Sequence, residues 1–178
     1  VAKDTGAKEI KDLKGKRLAI VVGSPALNQN AFAILAFAGL TAKDVKLVEF
    51  SSYGASWKGM LNNEVDMAVA SNISGQAKEV ETSPRGLVFI PMPHSDEAGW
   101  ARLVKVGPHF LKHKATCGAG LTSSPSDLAN YPYPIFMAYD TQPADLIYNI
   151  TKAMLVGYDA YKDNAPGAVG LELKRQNR

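Results

Sequence analysis

Lys16-Arg17-Leu18-Ala19-Ile20-Val21-Val22-Gly23-Ser24-Pro25-Ala26-Leu27-Asn28 is the stretch that decides how this chain folds. Residues 18–22 form a short unbroken apolar run that stops at Gly23. Such a run reads as a strand buried on both faces, the kind found in parallel sheets. Residues 23–28 read as a turn. The helix after it carries Ala31, Ile34, Leu35 and Ala38 at helical spacing, with Gly39 as its stop.

Outward from this unit the pattern repeats. Residues 45–50 read as a second strand, 53–61 as a helix with Trp57, Met60 and Leu61 on one side, and 65–70 as a third strand. Strands alternating with helices predict crossover connections and a parallel sheet. Residues 87–90 read as a fourth strand ending at Pro91-Met92-Pro93, and 95–106 as a helix. Residues 114–134 are rich in Gly, Ser, Thr and Pro and read as irregular, and 135–139 as a further strand. Pro143-Ala144-Asp145 opens a helix with Leu146, Ile147, Ile150 and Met154 on one stripe. After Tyr161 the chain turns polar and shows no clear element.

At 178 residues the chain fits one domain or two small ones. Twenty basic and seventeen acidic residues leave a net charge of +3, and the cations are scattered rather than striped, which argues against nucleic acid as a partner. The longest apolar stretch, at 31–38, is far shorter than the roughly 20 residues of a membrane span. Cys117 is the only cysteine, so no intrachain disulfide forms. The chain begins at Val1 with no methionine and no charged-then-apolar leader. It therefore reads as processed or trimmed, and the missing leader says nothing about export.

In an open parallel sheet, ligands sit beyond the carboxyl ends of the strands. Three loops fall there, at 23–28, 51–53 and 71–74, and bring Ser24, Asn28, Ser52, Tyr53, Ser71 and Asn72 to one edge, with Ser51 and Ser74 beside them. Neutral hydrogen-bonding groups next to helix starts suit a carboxylate or another polar solute. The plainer reading is that they cap helices and close turns. Trp57 reads as core; Trp100, after the fourth-strand loop, is also placed as a candidate cleft residue.

Gly23-Ser24-Pro25 lacks the glycine spacing and lysine of a phosphate loop, and Pro25 removes an N–H, so no nucleotide cofactor is expected. His109, His113 and Cys117 are four residues apart, and one continuous helix would turn all three toward a metal. Residues 115–120 read as non-helical, which favours a solvated histidine pair and a buried cysteine, with no metal site. No Gly-x-Ser-x-Gly elbow and no nucleophile beside a base is found, so no catalytic residue is assigned and the chain reads as a non-enzyme.

Three stretches resemble a known family. Lys14-Gly15-Lys16-Arg17-Leu18-Ala19-Ile20, followed by Gln29-Asn30-Ala31, Ile34-Leu35 and Gly39-Leu40, is similar to the start of the second lobe of TAXI-type solute receptors, the substrate-binding subunits of TRAP transporters. Val65-Asp66-Met67-Ala68 is similar to the small-residue strand before a cleft loop in that family. Asp145-Leu146-Ile147-Tyr148-Asn149-Ile150-Thr151-Lys152-Ala153 resembles its hinge-side helix.

The resemblance covers most of residues 10–160. It implies an α/β, type II periplasmic-binding-protein-like fold, with a mostly parallel sheet flanked by helices, and a chain that is a fragment of a bilobed protein. Residues 10–115 would be the solute-binding lobe, and 116–178 a return segment with the hinge-side helix and a polar tail. The implied function is a periplasmic or extracytoplasmic receptor for a small organic solute, an organic acid or amino acid, handed to the membrane permease subunits of a TRAP transporter. Ser24-Pro25-Ala26-Leu27 departs from the Gly-Ser-Gly-Thr of many members, and Ala119-Gly120-Leu121 replaces a common aromatic. Both departures leave room for a less polar ligand than glutamate. The alternative is a ligand-sensing effector domain of a cytosolic regulator, since such regulators borrow the same fold.

Overall fold

The buried run forms the strand expected of it. In the computed structural model, which describes residues 1–131, 136–164, 168 and 172, β1 (Arg17–Val21) pairs in parallel with β2 (Lys46–Phe50) in the register Leu18↔Leu47 and Val21↔Phe50. Between them runs α1 (Pro25–Phe37). Its end is a full Schellman motif: the Leu40 N–H donates to Leu35 O at 3.1 Å and the Gly39 N–H to Ala36 O at 2.9 Å. This closure needs the left-handed φ of +74° that Gly39 adopts without penalty.

α2 (Tyr53–Leu61) follows β2 and has the predicted bounds. It leads the chain back past β1 to Met67, on the side away from β2. There the Ala19 N–H donates to Met67 O at 2.9 Å, and the Met67 N–H to Arg17 O at 3.1 Å. The spatial order is therefore β2, β1, Met67 segment, with helices on both faces. On one face, Leu18 and Met67 pack with Ala31, Leu35 and Phe37 of α1 and with Trp100 and Leu103 of α4 (Glu97–Val106). On the other, Ala19 packs with Trp57 and Met60 of α2 and with Ala77 and Val80 of α3 (Gly75–Thr82). β1 is apolar throughout because both its faces are covered.

The chain divides into two compact units, Val1–Pro132 and Tyr133–Arg178. The first ends with β3 (Leu111–Ala115) and β4 (Ser126–Asn130), paired antiparallel. Among its described residues, the second contains α5 (Ala144–Val156) and α6 (Tyr158–Tyr161), joined by the Tyr161 hydroxyl donating to Met154 O at 2.7 Å. α5 opens where Pro143 predicts, and its Leu146, Ile150 and Met154 are exposed.

Several expectations are corrected. The sheet is not mostly parallel: a two-stranded parallel sheet stands beside a two-stranded antiparallel one. Residues 65–70 keep only the single bridge Leu18↔Met67, because the Asp66 carboxylate takes the Arg17 N–H at 2.8 Å where a ladder bond would start. Residues 87–90 form no strand; their N–H groups are taken by irregular segments, Val88 by Val1 O at 2.9 Å and Phe89 by Gly120 O at 2.8 Å. The stretch 114–134 is not wholly irregular, since it ends β3 and contains β4. Both strands are too polar to show apolar alternation; Lys114 faces Asp127 across the pair at 3.5 Å. Of the strand expected at 135–139, residues 136–139 are irregular, and 135 lies outside the described residues. α1 starts at Pro25 and not after Asn28, because proline at the first helical position gives up only an N–H that has no partner there.

The start of β1 carries a charge network. Burial pushes the Asp66 carboxyl up, but hydrogen bonds from the Arg17 side chain and backbone, with the charges of Arg17 and Arg85, outweigh it and hold the group below the usual carboxylate range. Asp127 is held down by the His94 N–H, with desolvation opposing. A carboxyl depressed by folding adds stability above its unfolded value of about 4 and loses it as pH falls through the folded value. Thermal melts are therefore expected to drop by several degrees between about pH 5 and pH 3. Asp66→Asn, already lacking that charge, is expected to show a shallower drop; an equal slope in both proteins would contradict the assignment.

Candidate functional site

Where successive crossovers lie on opposite faces of a sheet, a crevice opens beyond the carboxyl ends of the strands at the point of reversal. Here α1 and α2 lie on opposite faces, so the crevice falls between the loop after β1 and the loop after the Met67 segment. Residues 22–24 lie on one side of that reversal point and residues 70–74 on the other. The loop at 51–53 lies outside them, beyond β2, and is tied in by the Val22 N–H donating to Phe50 O at 2.9 Å.

Three helices begin at this edge, each preceded by a serine. Ser52 Oγ accepts from the Ala55 N–H at 3.2 Å, and Ser74 Oγ from the Ala77 N–H at 3.1 Å. Ser24 precedes α1 in the same way but makes no capping bond. α3 was not expected, because its residues between Ala77 and Val80 are charged. The Ser-Gly-Gln-Ala opening, with apolar side chains three apart, was the signal for it.

Two of the expected site residues hold backbone instead of pointing a free amide into the crevice. Asn28 Oδ1 accepts from the Val21 N–H at 2.9 Å while its Nδ2 donates to Val21 O at 2.9 Å. The end of β1 is thereby bonded to the first turn of α1. Asn28→Ala leaves both Val21 groups without these partners and is expected to cost about 1–3 kcal/mol, read as a lower urea midpoint. An unchanged midpoint would refute that role.

Asn72 works across a longer gap. Its Nδ2 donates to Cys117 O at 2.8 Å, and its carbonyl accepts from the Ala119 N–H at 2.8 Å. Residues 117–119 become a fourth segment of the edge, which nothing local in the sequence announces. Gly120 is anchored beside it by its N–H donating to Glu81 Oε1 at 2.7 Å.

The remaining expected residues separate. Ser71 Oγ lies 3.5 Å from the Ile73 nitrogen, and Tyr53 stands edge-on to Trp57 with ring centroids 6.2 Å apart. Trp100 is buried in the α1–α4 cluster, its Nε1 donating to Pro93 O at 3.2 Å and its ring edge-on to Phe37. Val22 and Ile73, which were not singled out, are 61% and 42% exposed.

His109, His113 and Cys117 do not share a helix. His113 is in β3 opposite Leu128, His109 Nε2 meets Asn30 Oδ1 at 2.8 Å, and Cys117 is exposed, contrary to the buried cysteine expected. No group of three metal-ligating side chains is found among the described residues.

A polar cleft of about 270 Å³ opens at the opposite end of the strands, lined by Asp4, Thr5, Lys16, Asn63, Asp66 and Arg85. Its arginine and aspartate charges are already paired, and Lys16 Nζ donates to Thr5 O at 3.3 Å. Arg85 donates to Asp4 at 2.8 Å and 3.0 Å, and Arg17 to Asp66 at 2.6 Å. It is a structural joint and leaves the crevice at the carboxyl ends as the candidate site.

An α/β unit with serine-bearing loops at its point of strand reversal has the layout of a small-molecule binding protein. The chain belongs to the NMT1-like family, a family of the periplasmic-binding type, whose model matches residues 1–176. That membership gives it a solute-binding role in the general sense. No curated protein matches the chain. Among the described residues no helix is long and apolar enough to cross a membrane.

Proposed function

We propose that this chain is a lobe of a type II periplasmic binding protein that captures a small organic solute outside the cytoplasmic membrane and delivers it to the permease subunits of a TRAP-type transporter. The observation that carries the reading is the strand reversal between residues 22–24 and 70–74, in a chain matched to a periplasmic-binding family over 1–176. Three helix starts open toward that edge, and their positive ends favour a carboxylate. The Lys14–Ile20 and Asp145–Ala153 similarities favour the TRAP class over other receptors.

The chain performs no chemistry in this reading. Its work is differential affinity: a solute stabilises whichever arrangement of the loops it binds better. Calorimetry against organic acids and amino acids is expected to give saturable heats with at least one of them. Silence throughout, joined to turnover of any compound in the set, would overturn the receptor reading in favour of an enzyme. Co-purification of the permease subunits with the full-length protein tests the delivery step, and repeated failure to capture them in the presence of solute would count against a TRAP partner.

A further inference from the structure

We infer that the solute taken at this edge has an apolar body and a single negative charge, a hydrophobic monocarboxylate, and is neither an amino acid nor a dicarboxylate. The inference rests on the site reading above and is carried by how charge is sorted along the strands. Four segments meet at the carboxyl ends: 22–29, 51–57, 68–77 and 115–121. None contains Asp, Glu, Lys, Arg or His. At the other end of the same strands Asp4, Lys16, Arg17, Asp66 and Arg85 crowd together. Twenty cations and seventeen anions in 178 residues make a charge-free set of 32 residues in four separate pieces a property of the place and not of the composition.

What stands there instead is apolar or neutral. Val22 and Ile73 expose large apolar surface on the two sides, 61% and 42%. Trp57, packed with Ala77 and Ala119 directly behind the loops, has a buried Nε1–H with no partner among the described residues, a neutral donor. Six serine hydroxyls, at 24, 51, 52, 56, 71 and 74, complete the set. Neutral donors can satisfy one carboxylate, as backbone and hydroxyl groups do elsewhere. An ammonium group brought to this edge finds no carboxylate within the four segments, and Glu81, which touches them, is already engaged by the Gly120 N–H at 2.7 Å; a second carboxylate finds no cation within them, so each would be desolvated with little compensation. An apolar chain is matched by Val22 and Ile73.

Four six-carbon probes isolate the point: hexanoate, adipate, norleucine and hexylamine. Calorimetry on this chain is expected to rank hexanoate tightest, by about ten-fold or more over adipate and norleucine. Val22→Asp places a carboxylate on an exposed position. It is expected to weaken hexanoate by about ten-fold and to bring hexylamine level with it or above it. Adipate or norleucine binding as tightly as hexanoate, with Val22→Asp still weakening them, overturns the solute class and leaves the site in place. Binding indifferent to Val22→Asp, or no binding by any probe, overturns both.

Discussion

Arg85→Met is expected to lower the stability of the first unit by about 3–5 kcal/mol, the larger of the two strongest effects foreseen. The Arg85 side chain is only 9% exposed, and every arm of its guanidinium is engaged. Nη1 donates to Met60 O at 2.6 Å and to Val65 O at 2.7 Å; Nε and Nη2 grip the two oxygens of Asp4. The first pair matters more. Asp4 is 43% exposed, so water and salt screen that half and it contributes about 1 kcal/mol at most. The carbonyls of Met60 and Val65 close the turn between α2 and the Met67 segment; without the guanidinium Val65 O loses that donor and Met60 O keeps the Asn63 N–H at 3.2 Å. Methionine keeps the apolar stem, so the loss measures polar satisfaction and not packing. Urea denaturation distinguishes the two halves: Asp4→Asn should cost a small fraction of Arg85→Met. Equal losses would mean that the ion pair dominates, contrary to this account.

Gly118→Ala is expected to cost about 3 kcal/mol, made up of backbone strain and overpacking of similar size. Gly118 has a φ of +114°, outside the range an L side chain accepts. An added Cβ would overlap the Asn72 amide nitrogen and come within 2.9 Å of Asn72 O. That carbonyl is the acceptor for Ala119, so the clash falls on the bonds that hold residues 117–119 to the loop at 71–74. Solute binding is expected to weaken together with stability. Asn72→Ala supplies the control. It removes only the bond to Cys117 O, at a cost of about 1 kcal/mol, and leaves the carbonyl bond to Ala119. A Gly118→Ala protein as stable as its parent would show that residues 117–119 do not dock through Asn72.

How much of this was legible depends on whether the information was local. β1, α1, β2 and α2 could be read because each carries its own signal: an unbroken apolar run, apolar residues at helical spacing, and Gly39 past a helix end. Residues 65–70 and 87–90 have equally apolar sequences. Their pairing is lost to partners far along the chain, Asp66 with Arg17 and Phe89 with Gly120. α3, β3 and β4 were hidden for the opposite reason, since their exposed faces carry Lys, Glu and Asp and blur the apolar period.

The candidate site divides the same way. Its position follows from strand–helix alternation alone, and so do the serines that precede α1 and α2. The bonding of Asn28 to Val21 is nearly local, yet a turn reading of residues 23–28 obscured it. The Asn72–Cys117 bond spans 45 residues and has no local signature. Nor has the exposure of Val22, which as the last residue of an apolar run looks like core.

The central claim is that solute binds at the carboxyl ends of β1 and the Met67 segment. Backbone and methyl NMR shifts followed during titration with hexanoate test it directly. The account predicts saturable shifts with one dissociation constant at Val22, Ser24, Ser71, Ile73 and Cys117, with Lys16, Asn63 and Arg85 unmoved. Shifts centred on the charged cleft at Lys16, Asn63 and Arg85, with the carboxyl-end loops silent, would contradict it.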